Sequence, residues 1–166
     1  MNVLLISEHY YPKVGGTVSY VENTAVNLGK SGINVFLLVP TTGEINSITV
    51  VKHEQENVQI LKVGVSPRDK MAFNREERTA FCEYVGNNII EITTKNNITI
   101  VHVLFGLFVA AVLDIKALKL KGIKTLNTIH NVPPFECSNS WKGDKPYFYY
   151  KDKLRKIGVK LVNKYR

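Results

Sequence analysis

The sequence predicts an α/β fold, a Rossmann-like, doubly wound, mainly parallel sheet with helices on both faces. Three observations carry this expectation. Short aliphatic runs fit for buried strands alternate with longer stretches of helical period. The connections between most of those runs are long enough to hold a helix, and strands joined by helical crossovers lie parallel. Polar loops bearing Gly or His follow two predicted strands, at Pro12 to Thr17 and at Thr128 to His130. An open α/β sheet keeps its ligand crevice at those carboxyl ends.

The elements follow in order. Asn2 to Ser7 reads as a strand buried on both faces, and the Gly15-Gly16 turn leads into a helix from about Thr17 to Lys30. Within it Val18, Val21, Ala25 and Leu28 recur at three- and four-residue spacing, and Ser31-Gly32 supplies the stop. Ile33 to Val39 gives a second strand, which Pro40-Thr41-Thr42-Gly43 is expected to break. Ser47 to Lys52 and Val58 to Val65 read as two short strands around a polar turn, a hairpin on the sheet. After a loop from Ser66 to Lys70, a helix from about Asn74 to Thr94 puts Phe81, Val85, Ile89 and Ile92 on one face. Ile98 to Leu104 is a buried strand, Phe108 to Leu120 a helix ended by Lys121-Gly122, and Ile123 to Ile129 a further strand. There is no internal repeat and no low-complexity tract.

At 166 residues, 45% hydrophobic and 22% charged, the chain has the length and apolar content for one globular domain with a core. Cys82 and Cys137 lie far apart without metal-ligand spacing, and the N-terminus does not resemble a signal peptide. These features predict reduced thiols and a cytoplasmic location. The most apolar stretch, Val101 to Leu113, is interrupted by His102 and Gly106 and is too short to span a bilayer. The net charge of +8 is concentrated in residues 142–166, which hold nine Lys or Arg against two Asp. Such a run suits anionic lipid headgroups, a phosphate-bearing substrate or nucleic acid, and its plain alternative is a solvated helix face. No nucleic-acid-binding motif accompanies it, so nucleic acid is not an expected partner. Pro146 to Tyr150 adds an aromatic cluster, and Leu154, Ile157, Leu161 and Val162 form an apolar stripe flanked by basic residues. Core packing is the favoured reading of the stripe; the alternative is a segment lying on the inner face of an anionic membrane.

Gly15 and Gly16 let the backbone approach a ligand without interference from a Cβ, and the helix that follows offers unpaired N–H groups and a positive dipole end. That combination suits a diphosphate, with a tight turn that binds nothing as the structural alternative. The fingerprint G-x-G-x-x-G and the P-loop are both absent, which argues against a nicotinamide or flavin cofactor. His130 closes an apolar strand, and Asn131-Val132-Pro133-Pro134 stops the strand from continuing. The imidazole is thereby left at the crevice edge, where it either meets a substrate or orders the loop. His102, inside Ile100 to Leu104, reads first as a satisfied structural histidine and second as a cleft contact. His53, on the hairpin, carries no functional argument. Glu8 follows the first strand, as a crevice carboxylate or, more commonly, a loop-ordering acceptor. No nucleophile elbow, paired-carboxylate pattern, HExxH or CxxC occurs, which removes several hydrolase and metal chemistries.

Taken together, Glu8-His9-Tyr10-Tyr11-Pro12 with Gly15-Gly16, the helix closing at Lys30-Ser31-Gly32, Ile100-Val101-His102-Val103, and Gly122-Ile123 through Thr128-Ile129-His130 resemble family 4 glycosyltransferases over nearly the whole chain. Thr99, Leu104 and Ile33 depart from the family pattern, and Leu104 stands where a second strand histidine is common. The resemblance implies one half of a GT-B fold, in which two Rossmann-like domains face a cleft. It further implies an enzyme that would retain anomeric configuration as it moves a sugar from a nucleotide-sugar donor to a glycan or lipid-linked acceptor, as in polysaccharide biosynthesis, without a metal or other cofactor. Residues 1–166 would be the N-terminal, acceptor-side domain, inactive alone, and the nucleotide-sugar-binding domain would lie beyond Arg166. By the same resemblance Gly15, Gly16 and Thr17 approach the donor diphosphate and His130 contacts the transferred sugar as the catalytic residue. Glu8, His102 and Asn131 are candidates for the cleft. The rival expectation is a stand-alone, non-catalytic module binding a nucleotide or anion.

Overall fold

Alternate residues of the first strand feed two separate cores. In β1 (Asn2–Ser7), Leu4 and Ile6 pack into one apolar cluster and Val3 and Leu5 into another on the opposite face. The structure, a computed structural model, describes residues 1–12, 14–68, 75–105, 107–128, 141–142 and 145–146. After β1 come α1 (Gly16–Lys30), β2 (Asn34–Thr42), β3 (Ile48–Lys52), β4 (Val58–Ser66), α2 (Arg75–Lys95) and β5 (Ile100–Phe105). They are followed by α3 (Leu107–Val112), α4 (Ile115–Leu120) and β6 (Lys124–Asn127).

The sheet runs in the order β3-β4-β2-β1-β5-β6, with β3 antiparallel to β4 and every other pair parallel. From β1 the chain moves outward to β2 and β4, then returns through α2 to β5 on the other side of β1. The winding reverses between β1 and β5, which puts the crevice at the carboxyl ends of those two strands. One face is covered by α1, whose Val18, Val21 and Ala25 pack with Val3, Leu5, Leu37 and Val39. The other is covered by α2, α3 and α4, through Phe81, Val85, Ile89, Val109 and Leu118 against Leu4, Ile6, Leu38 and Val103. The stripe expected on α2 is buried throughout, the one on α1 is buried except at half-buried Leu28, and the expected hairpin is β3 and β4.

Three boundaries matter here, the first being β6, which covers Lys124–Asn127 where a strand from Ile123 to Ile129 was expected, so that Thr128 lies past its end. β2 runs through Pro40 to Thr42, with Pro40 opposite Val63 of β4. Its pairing with β1 ends at Leu38, so at Pro40 the strand has one ladder neighbour and a missing N–H is tolerated. The single helix expected from Phe108 to Leu120 is two, because the Asp114 side chain accepts the Ala117 N–H at 2.9 Å and restarts the chain as α4.

Residues 129–166 form a second unit. There β7 (Trp141–Lys142) pairs antiparallel with β8 (Lys145–Pro146). The expected tail helix lies outside the described residues.

Candidate functional site

The crevice is built where β1 and β5 end. Buried Ser7 turns the chain: its hydroxyl donates to the His9 carbonyl at 2.8 Å and accepts the His9 N–H at 3.1 Å. The Glu8 N–H donates to the Phe105 carbonyl at 2.9 Å and ties the two strand ends together. Phe105, the last residue of β5, receives the His9 ring edge-on at 6.4 Å and the Tyr20 ring at 5.9 Å. Aromatic groups from the loop after β1 and from α1 thus meet the end of the neighbouring strand.

The Glu8 side chain is engaged inside the protein. The residue is 5% exposed, and Oε1 accepts the Val109 N–H of α3 at 3.3 Å. The Cys82 thiol of α2 lies 4.0 Å from the same oxygen. Burial, and secondarily the charge of Glu8, pushes the Cys82 thiol up to about 12, so it stays protonated at neutral pH.

Gly15 and Gly16 form the open part of the site. Gly15 is the N-cap of α1 at φ 154° and ψ 172°, a region open in practice only to glycine. The first helical bond runs from the Ser19 N–H to the Gly15 carbonyl at 3.1 Å, which leaves the N–H groups of Gly16, Thr17 and Val18 without helical acceptors. Among the described residues no side-chain cap bond is made at this end, and no acidic residue stands in the first turn. A Cβ added at Gly16 would meet nothing within 4 Å, and its φ is not in the left-handed region. Neither packing nor backbone geometry within the described residues therefore calls for glycine at this position.

A third group was not visible in the sequence. The Tyr10 phenol donates to Glu22 Oε2 on α1 at 2.6 Å, while His53, just past β3, sets Nε2 2.5 Å from Glu22 Oε1. His53 Nδ1 accepts the Gln55 N–H at 2.9 Å, which places the ring proton on Nε2 and makes that nitrogen the donor to Glu22. Burial, with the Glu22 bond second, holds the Tyr10 phenol well above its ordinary range, so it too remains a donor. His53, assigned no role from the sequence, belongs to this network. The separations of 12 and 31 residues give no periodic signal that could have revealed it.

His102 lies on the α1 face of β5, half-buried, with Nε2 2.7 Å from the Thr128 hydroxyl just beyond β6. His130 and Asn131 lie outside the described residues. Among the described residues no group of three or more His, Cys, Asp or Glu is placed to hold a metal, and no helix is long and apolar enough to cross a membrane.

No family model matches the chain, and neither does any curated protein. Solved structures do. Sucrose-phosphate synthase from Thermosynechococcus elongatus matches over 97% of this chain and 39% of its own, with 17% identity and a TM-score of 0.62. The catalytic domain of starch synthase IV from Arabidopsis thaliana, bound to ADP and acarbose, matches over 82% of this chain and 34% of its own, with 16% identity and a TM-score of 0.55. The chain spans about two fifths or less of those proteins. At these identities the likeness shows the fold, a Rossmann-like, mainly parallel α/β domain shared with GT-B glycosyltransferases.

Proposed function

We propose that the chain is the N-terminal, acceptor-side domain of a retaining, family 4 type glycosyltransferase whose β1–α1 loop holds the diphosphate of a nucleotide-sugar donor. The observation that carries this reading is Gly16: a residue without a side chain, at a helix N-terminus that no described side chain caps, facing space open among the described residues, where none of them requires glycine. A diphosphate oxygen would occupy that space and accept from the Gly16 and Thr17 N–H groups. ADP in the starch synthase IV structure is a ligand of this chemical class.

In the reaction the bond from the anomeric carbon to the distal phosphate breaks, a bond to the acceptor oxygen forms, and the acceptor proton is released. Charge then develops on the departing diphosphate, where preorganised N–H donors stabilise it more than in the ground state. His130 would contact the transferred sugar, and Asn131 and His102 would border the acceptor. Glu8 would support the loop from within. A second Rossmann-like domain would supply most of the nucleotide contacts, and no metal is needed in this scheme. The basic residues of 142–166 would meet anionic lipid if the acceptor is lipid-linked.

The test is a titration of UDP, ADP and GDP into 15N-labelled protein, together with a sugar-transfer assay of the intact polypeptide. The Gly15, Gly16 and Thr17 amides are expected to shift first, and Gly16→Ala and His130→Ala are expected to lose transfer. Binding without transfer in the intact polypeptide would favour the non-catalytic module. Amides unmoved by millimolar nucleoside diphosphate, or transfer unaffected by either substitution, would overturn the assignment.

A further inference from the structure

We infer that Tyr10, Glu22 and His53 form a positioning relay that sets where Gly15 and Gly16 present their N–H groups, so that a histidine on the β3–β4 hairpin tunes diphosphate binding. The inference rests on the function proposed for that loop. Tyr10 belongs to the segment that delivers the chain to Gly15, and Glu22 lies about two turns inside the helix that Gly15 caps. Their bond closes the loop on its own helix. Each carboxylate oxygen of Glu22 then has a donor, Oε2 from Tyr10 and Oε1 from His53, which fixes the side chain in one orientation.

The far end of the relay is anchored as firmly. The His53 N–H donates to the Val58 carbonyl at 3.1 Å, and Asn57 Nδ2 donates to the Gly29 carbonyl in the last turn of α1 at 3.1 Å. The hairpin therefore grips α1 at Glu22 and at Gly29, seven residues or two turns apart on one side. Two such grips fix both the rotation of the helix and its height against the sheet, and hence the height of its N-terminus at the crevice.

Packing alone does not account for the relay. The Tyr10 ring sits in the α1-side core with Val18 and Val21, a place phenylalanine would fill as well. The hydroxyl adds a desolvation cost that only the bond to Glu22 offsets, and that bond contributes orientation.

Tyr10→Phe keeps the ring and removes the bond. The expected result is amide exchange at Ser19, the first amide of α1 with a helical acceptor, about tenfold faster than wild type, the loss of one charge-assisted hydrogen bond, with little change in melting temperature. In the intact polypeptide, His53→Ala should raise the donor KM by about tenfold with kcat within twofold. His53→Gln, which keeps a donor for Glu22, should recover most of that loss, an outcome a purely structural role would not give. The relay is overturned if exchange in Tyr10→Phe matches wild type, or if nucleoside diphosphate affinity is the same in wild type and His53→Ala. A wild-type protein that binds no nucleoside diphosphate would instead overturn the proposed function, which keeps the two failures distinct.

Discussion

Glu8 and Gly16 sit on one segment at the mouth of one crevice, and the fold uses them in opposite ways. Glu8 is a charged group where β1 ends, yet its carboxylate is buried against the start of α3 and the Cys82 thiol. Gly16 has no side chain at all, and its N–H and the space beside it meet no partner among the described residues. A polar residue beside a crevice is thus a weak guide to function when the structure already satisfies it. A residue whose identity the structure does not need is a stronger one.

The contrast can be tested at its closed end first, where the largest effect is expected. With the Cys82 thiol held at about 12 against an ordinary 9.0, its thiolate fraction at neutral pH is lower by roughly a thousandfold, and alkylation should be slower to match. Peptide mapping separates Cys82 from Cys137. The sign for stability follows from the same shift. The folded state keeps the proton while the unfolded chain loses it above about pH 9, so this contribution is full below pH 9 and declines as pH rises toward 12. Alkylation of Cys82 at the rate of a free thiol would show that this side of the crevice is open.

Next in size is Glu8→Ala, which strands the buried Val109 N–H and leaves a void; urea unfolding should show a loss of about 2–3 kcal/mol. A loss below about 0.5 kcal/mol would mean that Glu8 is free to serve a ligand. Gly15→Ala forces a Cβ into a backbone region that side chains avoid and should cost about 1–3 kcal/mol in the same assay.

Legibility in the sequence divides along a similar line. The strands at Asn2 and Val58 and the helices over Val18 to Leu28 and Phe81 to Ile92 were readable because aliphatic runs and helical stripes are local signals that burial then rewards. Pro40 misled because proline breaks a strand only where both ladders are needed, and which ladders exist is a property of the assembled sheet. Asp114 misled in the other direction, since a stripe of apolar residues on both sides concealed a cap between them. Within the site, Gly15-Gly16 was legible as the turn that opens α1. The inward course of Glu8 was not, because it depends on α2 and α3, and the Tyr10–Glu22–His53 relay depends on a hairpin dozens of residues away.

The smallest expected change in stability is the most discriminating. Gly16→Ala adds one methyl group at the first turn of α1, where φ is unstrained and, its chain neighbours and helix backbone aside, no atom of the described residues lies within 4 Å. Alanine is also the better helix former, so urea unfolding should place the variant within about 0.5 kcal/mol of wild type or slightly above it. If the open space is where a diphosphate oxygen sits, the same methyl group excludes the ligand, and titration of nucleoside diphosphate should show an affinity at least tenfold weaker. Unchanged stability with lost binding is the pattern of a residue kept for a ligand. A loss of more than about 1 kcal/mol with unchanged binding would make Gly16 a structural residue like Glu8. The contrast between the two positions, and the site built on it, would then fail.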